Sequence, residues 1–274
     1  MKKECKTNGD DLRYKMERLT SAIEGYSSLA VAFSGGTDST FLLAVAHKVL
    51  KKNVIAITAK SQIHPVRETD FALDYTKKHR IEHVIIQSNE LKIPEFNLND
   101  RNRCYVCKMN IFPMMMKTAS KKGIKDLVHG ANIDDLKDFR PGFSAASELG
   151  VAAPMIEAGL SKQDIRDLSK MMLLETWNKP AMACLATRIP YGVPITIESL
   201  KMIEEAENIL IDLGFTACRV RHHGNLARIE LPKEDIERMI NWKMRNSVVG
   251  KLKKAGYLYV SIDLEGYIQG SMNR

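Results

Sequence analysis

Residues 29–33 (Leu-Ala-Val-Ala-Phe) form an unbroken apolar run that stops at Ser34-Gly35-Gly36-Thr37-Asp38-Ser39 and resumes as the helix-compatible stretch Thr-Phe-Leu-Leu-Ala-Val-Ala-His-Lys-Val-Leu. A short run of this kind fits a strand buried on both faces, which is the habit of parallel sheets. Parallel strands need crossover connections, so the strand must be followed by a helix. Similar runs recur at 53–59, 83–88, 126–131 and 151–156, separated by helix-compatible segments at 39–51, 66–79, 105–122 and 161–174. The alternation predicts an α/β fold with a doubly wound parallel sheet.

The pattern breaks at Glu175–Thr196, a loop with three prolines. Beyond it the order is helix (197–213), two strands in Cys-Arg-Val-Arg-His-His-Gly-Asn-Leu-Ala-Arg-Ile-Glu-Leu, helix (233–254), then Tyr-Leu-Tyr-Val-Ser-Ile-Asp-Leu. This predicts a small α+β domain at 193–274 after an α/β domain at 1–192. His222 and His223 fall at the expected turn and are predicted to be exposed.

No apolar run approaches the roughly 20 residues of a membrane span, and the first residues hold no hydrophobic signal core, so a cytoplasmic chain without a membrane partner is expected. Forty-one Lys plus Arg against 33 Asp plus Glu give a net charge of +8, which suits anionic ligands. The basic residues are scattered, however, so charge alone does not select nucleic acid. Five cysteines, an odd number, argue against a disulfide framework.

At the end of the first strand, glycines allow close backbone approach and a helix N-terminus presents N–H groups to an anion. Ser34, Gly35, Gly36, Thr37 and Ser39 read as a phosphate cradle, and Asp38 is a candidate Mg²⁺ ligand or an electrostatic helix cap. The segment is not a Walker loop, since no Gly-Lys-Ser/Thr follows, and it lacks the dinucleotide-binding glycine spacing. A plain strand-to-helix turn would account for one glycine and one hydroxyl only.

The hexapeptide resembles the PP-loop of enzymes that split ATP into AMP and pyrophosphate while activating an acceptor as an adenylate. That resemblance places ATP at Ser34, Gly35, Gly36, Asp38 and Ser39, with Thr58 and Ala59 at the adenosine and Gly130, Asp134 and Asp135 near the pyrophosphate. On residues alone, the two acids equally suit a polar loop. A closer resemblance is carried by Asp-Phe-Arg-Pro-Gly-Phe-Ser-Ala-Ala-Ser-Glu-Leu-Gly-Val-Ala-Ala-Pro-Met (138–155), Asn-Lys-Pro-Ala-Met-Ala-Cys-Leu-Ala-Thr-Arg-Ile-Pro-Tyr-Gly-Val-Pro-Ile-Thr (178–196) and residues 218–230. These are similar to the LarE family of ATP-dependent sulfur transferases, which act on a pyridinium mononucleotide during nickel-pincer cofactor synthesis for lactate racemase. The match runs in order over most of the chain.

The resemblance makes Cys184 the sulfur-donating cysteine. Arg188, four residues on, and Lys179, five residues back, are cations that would favour a thiolate there. In the version of the mechanism with one cysteine, Cys184 gives up its own sulfur. Cys104 and Cys107 add a Cys-x-x-Cys pair, and with Cys184 they could hold a [4Fe–4S] cluster whose open iron carries a sulfide. A zinc site or a redox dithiol are the competing readings of the pair. Cys5 lies in a polar terminus, and Cys218 reads as a small buried hydrophobe.

Arg219 and Arg221 alternate along one strand and share a face. They could grip a mononucleotide phosphate with Arg188, as the resemblance implies, or form a solvated face paired with Glu230. Arg140 could add charge to the acidic loop. The family tends to form homo-oligomers. Two other functions fit the same loop: thiolation of tRNA, for which no RNA-binding appendage or basic stripe is visible, and an ammonia-using adenylating synthetase, which would need no cysteine.

Overall fold

The computed structural model describes residues 8–137, 141–180 and 183–268. Cys5 and Arg140 lie outside the described residues. By backbone contacts the chain divides into two units, one of Met1–Ser61, Val66–Ser88 and Cys104–Ala181, the other of Gln62–Pro65, Asn89–Arg103 and Met182–Arg274.

In the first unit, α1 (Asn8–Glu24) precedes β1 (Leu29–Ala32), α2 (Thr37–Leu50), β2 (Val54–Lys60), α3 (Val66–Lys78) and β3 (Glu82–Gln87). After α4 (Pro94–Asn97), which belongs to the second unit, come α5 (Arg103–Lys121), β4 (Leu127–His129), α6 (Pro141–Glu148), α7 (Pro154–Glu157) and α8 (Lys162–Met171). The four strands are parallel in the order β3-β2-β1-β4, with Ala30 opposite Ile55 on one side and Leu127 on the other. Leu29, Ala30 and Val31 are fully buried, as the unbroken apolar run predicts.

The order has a consequence for function. The chain moves from β1 outward to β2 and β3, then returns to place β4 on the other flank of β1. A crevice at the carboxyl ends of β1 and β4, where the winding reverses, is the usual ligand position in such sheets.

The expected strand at 151–156 does not form. Ala152 makes one parallel bridge to Val128, and Pro154, which lacks an N–H to continue a ladder, instead starts α7. Helix α1 forms from the polar opening stretch. It packs Leu19 and Ile23 into the same core as Phe41, Leu42 and Val45 of α2.

The second unit holds α9 (Ile197–Asp212), β5 (Arg219–His223), β6 (Leu226–Glu230), α10 (Lys233–Ile240), α11 (Trp242–Lys254) and β7 (Tyr259–Ile262). Its sheet runs β5-β6-β7, antiparallel and then parallel. The single helix expected over 233–254 breaks at Asn241, whose extended backbone (φ −51°, ψ 136°) stops α10 while its side chain caps the Lys243 N–H of α11.

The sequence boundary at 193 falls inside this unit. Asn99 explains why: its side-chain amide donates to the carbonyls of Pro190 (2.8 Å) and Val193 (2.9 Å), and its own carbonyl receives the Gly192 N–H at 3.0 Å. Arg103 donates to the Asn99 side chain and stacks its guanidinium over Tyr191, 4.6 Å from the ring centre. The proline-rich segment is thus hydrogen-bonded to a distant stretch of chain. Spacing along the sequence carries no trace of that.

Candidate functional site

In the first unit, the loop leaving β1 is built as a cradle. Gly35 has φ 75°, and a Cβ there would lie 3.0 Å from the Glu68 carbonyl, so a side chain would be strained in its backbone and crowded by α3. Ser34 Oγ and Ser39 Oγ lie 3.1 Å apart, Ser39 Oγ also reaches the Gly36 carbonyl (3.2 Å), and the Ser34 N–H points to Ser39 Oγ at 3.3 Å. Gly36 then starts α2 without a side-chain cap, and the first N–H groups of a helix have no partner within it. Thr37 ties the loop to a neighbouring segment: its hydroxyl donates to the Thr176 carbonyl at 2.8 Å.

The loop after β4 meets this cradle. A Cβ on Gly130 would stand 2.9 Å from Ser39 N and 3.1 Å from Ser39 Cα, so only glycine lets the two loops touch. Asn132 extends its amide to Asp38 Oδ2 at 3.5 Å. Asp134 Oδ2 receives the Lys162 N–H (2.9 Å) and Asp135 Oδ2 the Asn132 N–H (3.0 Å), so both acids hold backbone around the crevice.

Thr58 and Ala59 lie on β2. The Thr58 hydroxyl is buried and engaged with the Phe33 carbonyl (2.6 Å) and His83 Nε2 (2.8 Å), which makes it part of the sheet's own hydrogen bonding.

Lys179 closes the cradle from another side. Its ammonium donates to the Gly35 carbonyl (3.0 Å) and Glu68 Oε2 (2.8 Å), and sits 4.0 Å from the centre of the Phe71 ring. Glu68 and Asn132 carry no motif signal of their own. Only the fold brings them to the loop.

Cys104 is exposed and Cys107 buried, three residues apart on α5 and so on one helix face. Among the described residues no group of three or more His, Cys, Asp or Glu is gathered to hold a metal ion. Within the first unit the pair therefore supplies two sulfur donors of the several that a zinc or iron–sulfur site needs.

Burial pushes two histidines of this unit down to about 4: His83, hydrogen-bonded between Thr58 and Thr76, and His129, where the nearby Lys108 charge adds to the effect. Between the ordinary value of 6.5 and about 4 the unfolded chain binds protons that the folded one refuses. Their contribution to stability is complete above about pH 6.5 and is lost as pH falls toward 4. The urea midpoint should drop across that window, and His129→Gln should flatten the drop. A His129→Gln profile parallel to the parent would remove His129 from this account.

The second unit carries Cys184, partly exposed, just before the short 3₁₀ turn Leu185–Arg188. The Cys184 carbonyl accepts from Thr187 N (3.0 Å), Thr187 Oγ1 (2.8 Å) and Arg188 Nη1 (3.1 Å), which fixes the backbone beneath the thiol.

Arg188 is placed otherwise than a phosphate-gripping side chain would be. It is fully buried, and all three of its guanidinium nitrogens donate inside the unit: Nε and Nη2 to the two Glu207 oxygens (2.8 and 2.9 Å), Nη1 to the carbonyls of Ala183 and Cys184. Burial opposes its charge, but the Glu207 carboxylate more than reverses this and holds the guanidinium above its usual value, with Cys184 contributing in the same sense. Its geometry suits positioning of the Cys184 turn.

Arg219 and Arg221 share a face of β5, as expected, but that face is not solvated: they are 4% and 5% exposed. Arg221 pairs with Glu230 (2.7 Å) and donates to the Thr187 carbonyl (3.0 Å), tying β5 to the Cys184 turn. Arg219 lies over Tyr267, and burial followed by the nearby Arg188 charge lowers its pKa. His222, expected at an exposed turn, is buried and hydrogen-bonds Tyr257 (3.1 Å), because the turn falls at Gly224 and Asn225. Cys218 is a buried hydrophobe, as read from sequence, and desolvation pushes its thiol up to about 12.

No helix among the described residues is long and apolar enough to cross a membrane. No family model matches the chain. Curated proteins do: an uncharacterized protein of Synechocystis sp. is 39% identical over 96% of this chain and 98% of its own length. An uncharacterized protein of Methanocaldococcus jannaschii is 32% identical over 87% of this chain and 90% of its own. The pyridinium-3,5-bisthiocarboxylic acid mononucleotide synthase of Lactiplantibacillus plantarum is 33% identical over 96% of this chain and 95% of its own. A shared length of that extent, at that identity, spans both units, and the chain belongs to the LarE family of which that synthase is a member.

Proposed function

We propose that the chain is an ATP-dependent sulfur transferase of nickel-pincer nucleotide synthesis, acting on a pyridinium biscarboxylic acid mononucleotide. The observation that carries the reading is the meeting of the Ser34–Ser39 and Gly130 loops at the carboxyl ends of β1 and β4, an anion cradle at the reversal of a parallel sheet. The name of the Lactiplantibacillus plantarum relative gives a pyridinium bisthiocarboxylic acid mononucleotide as that protein's product, and the acceptor proposed here is the corresponding carboxylate. The fold is accordingly of the PP-loop type, with the first unit binding ATP and the second, small unit binding the acceptor or a second copy of the chain.

In this reading the N–H groups at the start of α2 and the hydroxyls of Ser34 and Ser39 hold the polyphosphate. Asp38 is the carboxylate for Mg²⁺, an ion that commonly takes one or two protein carboxylates and completes its shell with phosphate and water. A substrate carboxylate attacks the α-phosphorus, pyrophosphate leaves, and the acyl-adenylate that results has AMP as a good leaving group. The Cys184 thiolate displaces AMP to give a thioester. Loss of the Cys184 Cα proton with cleavage of its Cβ–S bond leaves sulfur on the substrate and dehydroalanine in the chain. Arg188 and Thr187 hold the Cys184 turn, while Arg219 and Arg221 are the cations for the substrate phosphate.

A [4Fe–4S] cluster on Cys104, Cys107 and Cys184, were it bound, would supply a sulfide that spares Cys184. Iron and labile-sulfide content of protein purified without oxygen separates the two donors: about four irons per chain, lost in Cys104→Ala, assigns the sulfur to the cluster. Iron-free protein that resists reconstitution assigns it to Cys184.

The test of the function is release of AMP and pyrophosphate from ATP in the presence of the carboxylated mononucleotide. Cys184→Ala should retain that release and lose sulfur transfer altogether. Absence of pyrophosphate release from the unaltered chain would refute the reading.

A further inference from the structure

We infer that Lys179 is a polyphosphate-binding residue of the Ser34–Ser39 loop, held in readiness by Glu68; this rests on a nucleoside triphosphate being the ligand of that loop. Lysine ammonium groups have three N–H donors and a compact charge. Here the charge is brought to the tip of the cradle, 3.0 Å from the Gly35 carbonyl, and Glu68 takes a second donor at 2.8 Å. The pair is largely withdrawn from water, with 20% and 13% of the two side chains exposed.

The backbone of Lys179 is as closely fixed as its side chain. Its N–H donates to the Thr176 carbonyl (3.0 Å), and its carbonyl receives Arg166 Nη2 at 3.2 Å. Thr37, inside the loop, bonds the Thr176 carbonyl at 2.8 Å and reaches the Lys179 carbonyl at 3.4 Å. Residues 176–179 therefore form a wall of the cradle, hydrogen-bonded to the loop itself. Phe71 closes one side of the ammonium, so the cation is confined between a ring, a carboxylate and the loop carbonyl.

Charge explains why a cation belongs there. Asp38 and Glu68, in the first turns of α2 and α3, both bring negative charge to a site shaped for anions. A triphosphate entering beside two carboxylates needs compensation beyond one divalent ion. Lys179 neutralises Glu68, and on nucleotide binding it serves the phosphates while Glu68 keeps it oriented. The recognised chemistry is the polyphosphate chain, so AMP, which lacks that chain, should be nearly indifferent to Lys179.

The experiment is calorimetric titration of the full chain with ATP plus Mg²⁺ and, separately, with AMP. Lys179→Gln should weaken ATP about tenfold or more and AMP less than about twofold, since a charge-assisted hydrogen bond is lost only for ATP. Lys179→Arg should recover most of the ATP affinity. Equal weakening of ATP and AMP, or no weakening of ATP, would overturn the inference and leave Lys179 as a clamp on the loop. Retained AMP binding in Lys179→Gln excludes misfolding as the cause of a selective ATP loss. Failure of the unaltered chain to bind ATP would instead refute the nucleotide reading of the loop, an outcome distinct from any behaviour of the variants.

Discussion

Glu207→Ala is expected to destabilise the second unit by about 3–5 kcal/mol, the range for removing one partner of a buried ion pair. The side chains of Arg188 and Glu207 are 0% and 4% exposed, and the pair is bidentate. Truncation leaves a guanidinium charge buried without its carboxylate. It also strips the Val220 N–H of the acceptor it finds in Glu207 Oε1 at 3.1 Å. Urea unfolding, with amide exchange read at β5 and β6, measures the loss. The double variant Arg188→Met, Glu207→Leu should recover much of it, because the cost comes from an unpaired charge more than from a missing attraction. A single-variant loss under about 1 kcal/mol would show that the pair does not hold this unit together.

The effect should reach Cys184. Arg188 Nη1 spans the carbonyls of Ala183 and Cys184, so loosening the guanidinium loosens the turn that presents the thiol. Alkylation of Cys184 by iodoacetamide should change in rate in Glu207→Ala under conditions where the variant is still folded. An unchanged rate would separate the ion pair from the positioning of the thiol.

Gly130→Ala is expected to cost about 1–3 kcal/mol in the first unit and to weaken ATP about tenfold. The added methyl would stand 2.9 Å from Ser39 N, 3.1 Å from Ser39 Cα and 3.2 Å from the Asp38 carbonyl carbon. All three are backbone atoms, so no flexible side chain can swing aside. Either β4 or the start of α2 must shift, and the shift falls on the N–H groups proposed to hold the phosphates. Gly123→Ala is the control: unlike Gly130, that glycine has a positive φ, 74°, but a Cβ there would meet nothing within 4 Å. It should lose stability through backbone strain and leave ATP binding unchanged. An ATP affinity in Gly130→Ala equal to that of the unaltered chain would show that the two loops do not share a ligand.

The sequence by itself determined the architecture of the first unit. β1 and β2 appear where unbroken apolar runs stand, because a strand buried on both faces leaves no other pattern, and β3 and β4 follow shorter apolar runs. The Ser-Gly-Gly turn appears where two small residues and a helix start coincide. The failures share a cause as well. Ala152 and Pro154 carry enough apolar character for a strand, but one missing N–H ended it; the break at Asn241 turns on a single residue's backbone angles inside an otherwise helical period.

Only the tertiary structure decided what the charged residues do. Arg188, Arg219 and Arg221 read from sequence alike, as cations for a phosphate; the fold sets Arg188 on Glu207 and Arg221 beside Glu230, partners 19 and 9 residues away. Lys179, read from sequence by its closeness in the chain to Cys184, is seated on the Gly35 carbonyl, 144 residues distant in the chain. Apolar burial follows a local period that is written along the chain. A charge is defined by whichever opposite charge the fold brings within about 3 Å, where the Coulomb energy is large and falls off steeply once water intervenes.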